Sequence, residues 1–154
     1  AMSNPAMQRL TVLIVDDNKH MITIVKTLLR GFGISHFIEA NDAAEAFDLV
    51  RTEHIDFIIV DFLMDILDGT DFVRLVRTAD DSPNPFVPII MLTAYSERSK
   101  VIAARDAGVT EFCCKPVTAK ELFRKVMSIV NSPRSFVRTN QYFGPDRRRM
   151  QSDH

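Results

Sequence analysis

An apolar run that ends in a carboxylate limits the folds open to this chain more than any other feature. The run covers residues 55–60, is rich in β-branched side chains and is followed at once by Asp61. Such runs are typical of strands buried on both faces of a sheet. Because an unpaired charge is costly inside a buried strand, Asp61 is predicted at the exposed carboxyl end. Asp68 and Gly69 then predict a turn, in which Gly69 can adopt a positive φ.

Four more short apolar runs alternate with segments of helical spacing. Strands are predicted at residues 11–15, 36–40, 55–60, 88–92 and 109–114. Helices are predicted at residues 19–30, 42–53, 70–79, 96–108 and 118–130. This alternation indicates an α/β domain with a five-stranded parallel sheet, doubly wound, and five helices. The flavodoxin-like strand order 2-1-3-4-5 is favoured, although the pattern alone leaves other doubly wound orders open.

Capping residues predict where several helices begin and end. Asn41 or Asp42 is predicted to cap the second helix, Ser96 the fourth and Thr118 the fifth. Gly108 is predicted to end the fourth helix, because glycine readily takes the left-handed conformation found after helices.

Polar side chains stand at the carboxyl ends of four predicted strands. They are Asp16 and Asp17, Asp61, Thr93, and Lys115. Because these ends share one edge of a parallel sheet, where ligands bind, the side chains are expected to converge. Clustered carboxylates have raised pKa values unless a cation neutralises them, and their oxygens suit Mg²⁺. A carboxylate can also form an acyl phosphate, which a hydroxyl and an ammonium would support, whereas a lone aspartate would more simply cap a turn.

Taken in order, these residues resemble the receiver domain of bacterial two-component response regulators. The resemblance spans about residues 10–131 and rests on Val15-Asp16-Asp17-Asn18, Val60-Asp61, Met64, Asp68-Gly69, Leu92-Thr93-Ala94 and Cys114-Lys115-Pro116. It implies a stand-alone response regulator that takes a phosphoryl group from a phosphohistidine on a sensor histidine kinase or a histidine phosphotransfer protein. Such a protein is a switch rather than an enzyme, and it would contact a downstream protein through about residues 96–130.

The resemblance also implies a phosphoacceptor and a metal site. Asp61 would accept the phosphoryl group. Asp17 and Asp61 would bind Mg²⁺ directly, together with the main-chain carbonyl of Leu63, and Asp16 would act through a coordinated water. Asp65 stands where the family usually has proline, so the loop after the third strand is expected to be less rigid.

Three more residues match family positions for switching and phosphate binding. Thr93 would be the switch hydroxyl and Lys115 the phosphate partner. Phe112 occupies the switch aromatic position, where an ordinary core or rim aromatic is equally expected. The Lys115–Pro116 peptide is expected to be cis, as in similar receivers.

Two side chains flank the path of a hydrolytic water in receivers, and here they are Leu63 and Tyr95. Leu63 has no group to hold a water, and the Tyr95 ring is bulky. Help in positioning or activating a water is typically worth ~10²–10⁴-fold in rate. The phosphorylated state is therefore expected to be long-lived.

The composition limits the number of domains, the classes of partner and the cellular environment expected for the protein. A chain of 154 residues with 46% hydrophobic content suits one globular domain, and a formal net charge of −1 argues against a nucleic-acid partner. No apolar stretch approaches the ~18 residues that a membrane span needs, and the start does not resemble a signal peptide. The adjacent Cys113 and Cys114 cannot form an ordinary disulfide and are expected on opposite faces of a strand. A reducing, cytoplasmic setting is expected.

The two ends of the chain are set apart from the receiver. Residues 1–9 are expected to be an N-terminal extension or cloning remnant, residues 10–131 the receiver domain, and residues 132–154 a basic tail that contains aromatic residues. Five arginines and two aspartates give the tail a net charge of +3, so the rest of the chain carries −4. A docking segment and a disordered tail are both open, and so is dimerisation.

Other functions remain to be weighed. A degenerate receiver would bind a partner without phosphorylation, which the complete acidic set disfavours and Asp65 weakly favours. An aspartyl-nucleophile phosphatase would need a second acid two residues after Asp61, where this chain has Leu63. A flavin-binding module would need a phosphate loop rich in Ser, Thr and Gly after the first strand. The sequence names neither the cognate kinase nor the output partner.

Overall fold

The strands form one parallel sheet in the order favoured by the sequence. The computed structural model describes residues 6–64, 67–131, 136–138 and 143–145. The strands of the sheet are β1 Thr11–Val15, β2 His36–Ala40, β3 Phe57–Asp61, β4 Ile89–Thr93 and β5 Glu111–Cys114. They pair in the order β2-β1-β3-β4-β5, and every pairing is parallel. The predicted fold class and order 2-1-3-4-5 are confirmed.

Helices cover both faces of the sheet. They are α1 Lys19–Gly31, α2 Ala43–Thr52, α3 Gly69–Thr78, α4 Val101–Ala107 and α5 Ala119–Asn131. Successive side chains of a strand point to opposite faces, so each strand supplies two cores. Leu13 and Val15 of β1 pack with α2, α3 and α4, whereas Val12 and Ile14 pack with α1 and α5.

The start of the fourth helical segment differs from the prediction. A 3-10 helix covers Tyr95–Lys100, and α4 follows it directly. Ala94 is the N-cap of the 3-10 helix and Lys100 is the N-cap of α4, so the predicted N-cap at Ser96 is wrong. The physical reason is that the Glu97 carboxylate accepts the Ala94 N–H at 2.6 Å and draws the chain into a tight turn at once. Gly108 ends α4 with φ 115°, as predicted.

The other predicted bounds lie within about two residues of the observed ones, the usual uncertainty of helix and strand ends. Asp42 caps α2 by accepting the Glu45 N–H at 2.8 Å, which settles the choice between Asn41 and Asp42. The Thr118 hydroxyl accepts the Glu121 N–H at 3.2 Å at the start of α5.

Segments outside residues 10–131 also contact the domain. Met7, in a 3-10 helix over Met7–Arg9, is fully buried on the α1–α5 side. Two short strands, β6 Phe136–Arg138 and β7 Phe143–Pro145, pair as an antiparallel hairpin, and β7 lies against α3 and α4. The arginines at 147–149 lie outside the described residues. Within the described ranges, no helix has the length and apolar character that a membrane crossing requires.

Candidate functional site

The strand ends bring the predicted polar residues to one edge of the sheet. Val15 of β1 lies opposite Val60 of β3, so Asp16 follows β1 at the level of Asp61. Thr93 is the last residue of β4 and is buried, and its carbonyl accepts the Lys115 N–H at 2.8 Å. Register and hydrogen bonding thus place Asp16, Asp61, Thr93 and Lys115 around one site.

Asp61 is the central charge of this site. It is the last residue of β3 and only 4% exposed, so the expectation of an exposed position is wrong. The charge is tolerated there because the Lys115 ammonium forms an ion pair with Oδ1. Burial raises the pKa of Asp61, Lys115 opposes that rise, and the charges of Glu97 and Asp17 add to it.

Asp16 is a second buried carboxylate beside Asp61. It is 2% exposed, and it accepts the Asn18 N–H at 2.9 Å. Burial raises the pKa of Asp16 to about 6, the Asn18 hydrogen bond works against the rise, and the charge of Asp61 adds to it. Both carboxyl groups therefore draw on the charge of the Lys115 ammonium, an arrangement that favours uptake of another cation.

The residues proposed to bind Mg²⁺ supply the right kind of donor. Asp16 and Asp61 are buried carboxylates, and Asp17 is an exposed one next to them. Carboxylate and main-chain oxygens are the donors that Mg²⁺ prefers. Among the described side chains, no three His, Cys, Asp or Glu residues are drawn together into a metal-binding group. The donor set fits a hard divalent cation, while the ammonium of Lys115 is the cation that Asp61 contacts here.

The segment after β3 depends on a glycine for a reason that differs from the prediction. Gly69 is the first residue of α3, where its N–H donates to the Phe62 carbonyl at 3.0 Å. The described glycines with positive φ are Gly33 and Gly108, so the positive φ predicted for Gly69 is wrong. A Cβ at Gly69 would lie 2.4 Å from the main-chain oxygen of Asp61. Absence of a side chain lets the start of α3 press against the backbone of the central aspartate.

Side chains around the mouth of the site alternate between core and solvent. Leu63 is 63% exposed, whereas its neighbours Phe62 and Met64 are buried. The Lys100 ammonium lies 5.7 Å from the centre of the Phe62 ring. Residues 65 and 66 and the side chain of Tyr95 lie outside the described part, so the predictions for Asp65 and for the Tyr95 side chain fall there.

Strand β5 positions the remaining predicted residues. Phe112 is half-buried and packs against the core on the α2–α4 side, which suits both roles considered for it. Cys113 is buried and Cys114 exposed, as expected for opposite faces. The Lys115–Pro116 peptide is cis, as predicted.

Glu97 is a site residue whose role the sequence did not reveal. It is 9% exposed, its Oε1 holds the Ala94 N–H, and its charge contributes to the raised pKa of Asp61. Ala94 and Glu97 have the spacing of a capping box. That signal was missed because alanine has no side-chain acceptor and is therefore not a typical N-cap residue.

Comparisons with known proteins agree with this geometry. A family model described as the response regulator receiver domain matches residues 12–127. The chain is 36% identical over 118 residues to the chemotaxis protein CheY of Pseudomonas aeruginosa, covering 77% of this chain and 94% of that protein.

Solved structures similar to this chain are also receiver domains and chemotaxis response regulators. The chemotaxis protein CheY4 of Vibrio cholerae has a TM-score of 0.70 and 28% identity, over 79% of this chain and 98% of that one. The receiver domain of a sensor histidine kinase from Pseudomonas aeruginosa PAO1, with a magnesium ion coordinated in its active site cleft, has a TM-score of 0.70 and 27% identity. That match covers 80% of this chain and 98% of the other.

Proposed function

Because the chain belongs to the family of response regulator receiver domains, we propose that it is a phosphorylation-controlled switch whose phosphoacceptor is Asp61. The observation that carries the proposal is the buried Asp61 carboxylate at the meeting point of the strand ends, held against the Lys115 ammonium. Asp61 is in contact with the Lys115 ammonium, a cation that could also receive phosphoryl oxygens.

The proposed reaction moves a phosphoryl group from nitrogen to oxygen. The Asp61 carboxylate forms a P–O bond while the P–N bond of a phosphohistidine breaks, and the donor imidazole leaves and takes up a proton. The donor is a sensor histidine kinase or a histidine phosphotransfer protein. Lys115 then pairs with a phosphoryl oxygen instead of Oδ1, and Thr93 donates its hydroxyl to another, which positions the group and spreads its charge.

Mg²⁺ is the proposed cofactor of this step. When bound, the ion neutralises charge on the carboxylates and on the incoming phosphoryl oxygens. Asp17, Asp61 and the Leu63 carbonyl would hold it, with Asp16 acting through a coordinated water. The dependence of both Asp16 and Asp61 on the charge of the Lys115 ammonium supports this assignment, as does the magnesium ion in the similar receiver domain of the sensor kinase.

The proposed output is a protein–protein contact. Thr93 directly precedes the segment that leads through the 3-10 helix into α4, so a turn of its side chain toward a phosphoryl group would act on that segment. Phe112, two residues before Cys114 at the end of β5, is the proposed aromatic partner of this change. The downstream protein would bind about residues 96–130.

The phosphorylated state is proposed to be long-lived because of Leu63 and Tyr95. The exposed position of Leu63 at the mouth of the site supports a shield that cannot hold water. The measurement is the decay of phosphorylated wild type beside Leu63→Asn and Tyr95→Glu. Slower decay in the wild type than in both variants is expected. Equal decay rates would show that Leu63 and Tyr95 do not shield the phosphoryl group from water.

Phosphorylation itself is tested with acetyl phosphate and Mg²⁺, read by intact mass. Uptake of one phosphoryl group is expected for the wild type and no uptake for Asp61→Asn. Asp68→Asn is the matched control, since an asparagine at that position can still cap α3 through the Asp71 N–H. Equal uptake by Asp61→Asn would overturn the assignment, and no uptake by any form would favour a receiver that binds without phosphorylation.

A further inference from the structure

The C-terminal hairpin rests on α3 and α4. β6 and β7 pair in register, with Phe136 opposite Pro145 and Arg138 opposite Phe143. β7 touches both α3 and α4, and Pro145 is buried. A two-stranded hairpin has little stability of its own, so this one depends on the helices beneath it.

α4, at seven residues, is the shorter of the two helices and contacts both α3 and the 3-10 helix. Its last residues are fixed to α3, because the guanidinium of Arg77 in α3 donates through Nε to the Gly108 carbonyl at 3.0 Å. Its first residue is joined directly to the 3-10 helix that begins two residues after Thr93. A contact that spans α3 and α4 therefore bears on the helix that the proposed switch would move.

We propose that the paired strands β6 and β7 form an intramolecular clip that seats on the α3–α4 face and stabilises the unphosphorylated arrangement of α4. The observation that supports this occupant is that β7 lies against both α3 and α4 with Pro145 buried. The seating of β7 on both helices makes the chain's own tail the partner for this face.

The clip would couple the tail to Asp61, and this part rests on the proposed function. Movement of Thr93 toward a phosphoryl group would shift the 3-10 helix and α4, and would loosen the hairpin. Coupling between two sites is reciprocal in free energy. Loss of the hairpin should therefore favour the phosphorylated form, by about fivefold or more in the phosphorylated fraction at limiting acetyl phosphate.

Hydrogen exchange on three forms of the unphosphorylated protein tests the clip. The forms are the full chain, a chain ending at residue 146 that keeps the hairpin, and a chain ending at residue 131 that lacks it. Faster exchange in α3 and α4, with α1 and α2 unchanged, is expected only for the chain ending at 131. Pro145→Asp in the full chain should reproduce that pattern, and it replaces the shortest chain if that chain fails to fold.

Unchanged exchange in α3 and α4, or a uniform increase in all helices, would overturn the clip. The coupling is tested separately, by exchange in residues 136–145 after phosphorylation. An increase is expected in the wild type and not in Asp61→Asn. Because the first measurement needs no phosphate, failure of Asp61 to accept one would remove the coupling and the proposed function while the clip is judged on its own result.

Discussion

Two buried charges at opposite edges of the sheet are accommodated in different ways. Asp61, at the carboxyl ends of the strands, is held against a charged partner, the Lys115 ammonium. Arg77, near the amino ends of β4 and β5, is 3% exposed and donates to neutral acceptors at 2.6–3.3 Å. Those acceptors are the carbonyls of Gly108, Pro85 and Val87 and the hydroxyl of Thr110.

The difference separates a charge that holds structure from a charge that is available for chemistry. Each N–H of a guanidinium points in a fixed direction, so carbonyls that meet those directions give a buried arginine well-directed hydrogen bonds. Burial raises the pKa of the Asp61 carboxyl, and a raised pKa at the edge of a sheet is a common property of functional groups. The edge of the sheet that holds Asp61 is suited to bind a ligand and to react with it. The edge that holds Arg77 anchors α3 to the loops around it.

Removal of the Arg77 anchor is expected to produce the largest effect. Arg77→Met would leave several buried acceptors without donors, at about 1–3 kcal/mol for each group that water cannot reach. A loss of about 3 kcal/mol or more in the free energy of unfolding is expected, measured by urea denaturation. Arg74→Met on the same helix is the matched control, because Arg74 is exposed and pairs only at the surface with Asp71.

The control should change stability by no more than about 0.5 kcal/mol. If Arg77→Met does not fold, Arg77→Lys should give a smaller loss, since an ammonium can serve some of the same carbonyls. Equal stability of the Arg74 and Arg77 variants would show that the buried guanidinium is not the anchor described here.

The second prediction concerns pH and the Asp16 carboxyl. Its pKa in the folded protein, about 6, lies above the ordinary value of 3.8, so the folded state binds its proton more tightly. Stability from this group is thus fully present below pH 4 and is lost as the pH rises to 6 and above, by about 3 kcal/mol in total. In EDTA, the free energy of unfolding of the wild type should fall across this window more steeply than that of Asp16→Asn.

Adding Mg²⁺ to the same two proteins tests whether the ion binds beside Asp16. If the ion binds at this edge, adding it at pH 7 should restore stability to the wild type and restore less to Asp16→Asn. Parallel pH profiles for the two proteins in EDTA would mean that burial of Asp16 does not govern its proton affinity.

A pair of glycines provides the third prediction. Gly69→Ala forces a Cβ to within 2.4 Å of the Asp61 carbonyl, whereas a Cβ at Gly31 meets nothing within 4 Å. Strain of this kind typically costs about 1–3 kcal/mol, and relief by backbone movement would displace Asp61. Gly69→Ala should lower both stability and the rate of phosphorylation by acetyl phosphate. Gly31→Ala, near the end of α1, should be neutral or stabilising by up to about 1 kcal/mol.

The strands and the polar residues at their ends could be predicted from sequence, whereas the order of the strands was only favoured among the doubly wound ones. Buried parallel strands leave long apolar runs, and a carboxylate or ammonium directly after such a run has few other places to lie. Asp16, Asp61, Thr93 and Lys115 were predictable for this reason. The capping side chains of Asp42 and Thr118 were readable as well, because their acceptors lie close in sequence to the amides they bind.

Arg77 and Gly69 could not be predicted in the same way. An arginine in an amphipathic helix is expected at the surface, and the carbonyls that bury Arg77 come from loops that no sequence pattern brings to it. The role of Gly69 depends on how closely α3 approaches the end of β3, a distance fixed by tertiary packing. Glu97 was missed for a related reason, since its importance lies in its position beside Asp61 rather than in its place within a helix.

The smallest predicted effect tests whether surplus negative charge adjusts the reactivity of the Asp61 edge. Glu97→Gln keeps an oxygen that can accept the Ala94 N–H and removes only the charge that acts on Asp61. A less negative site should receive an anionic phosphodonor more readily. An interaction of about 1 kcal/mol or less corresponds to an increase of up to about fivefold in the rate of phosphorylation by acetyl phosphate.

Two further variants distinguish the local effect of the Glu97 charge on Asp61 from the capping role of Glu97 and from a change in the net charge of the protein. Glu97→Ala removes the cap as well, so it should lower stability by about 1 kcal/mol, which Glu97→Gln should not do. Glu121→Gln on α5 changes the net charge by the same amount at a position that pairs with Arg124, and it should leave the rate unchanged. If Glu97→Gln and Glu121→Gln are phosphorylated equally fast, Glu97 acts on the turn alone. The partners of Asp61 would then be confined to Lys115 and the neighbouring carboxylates.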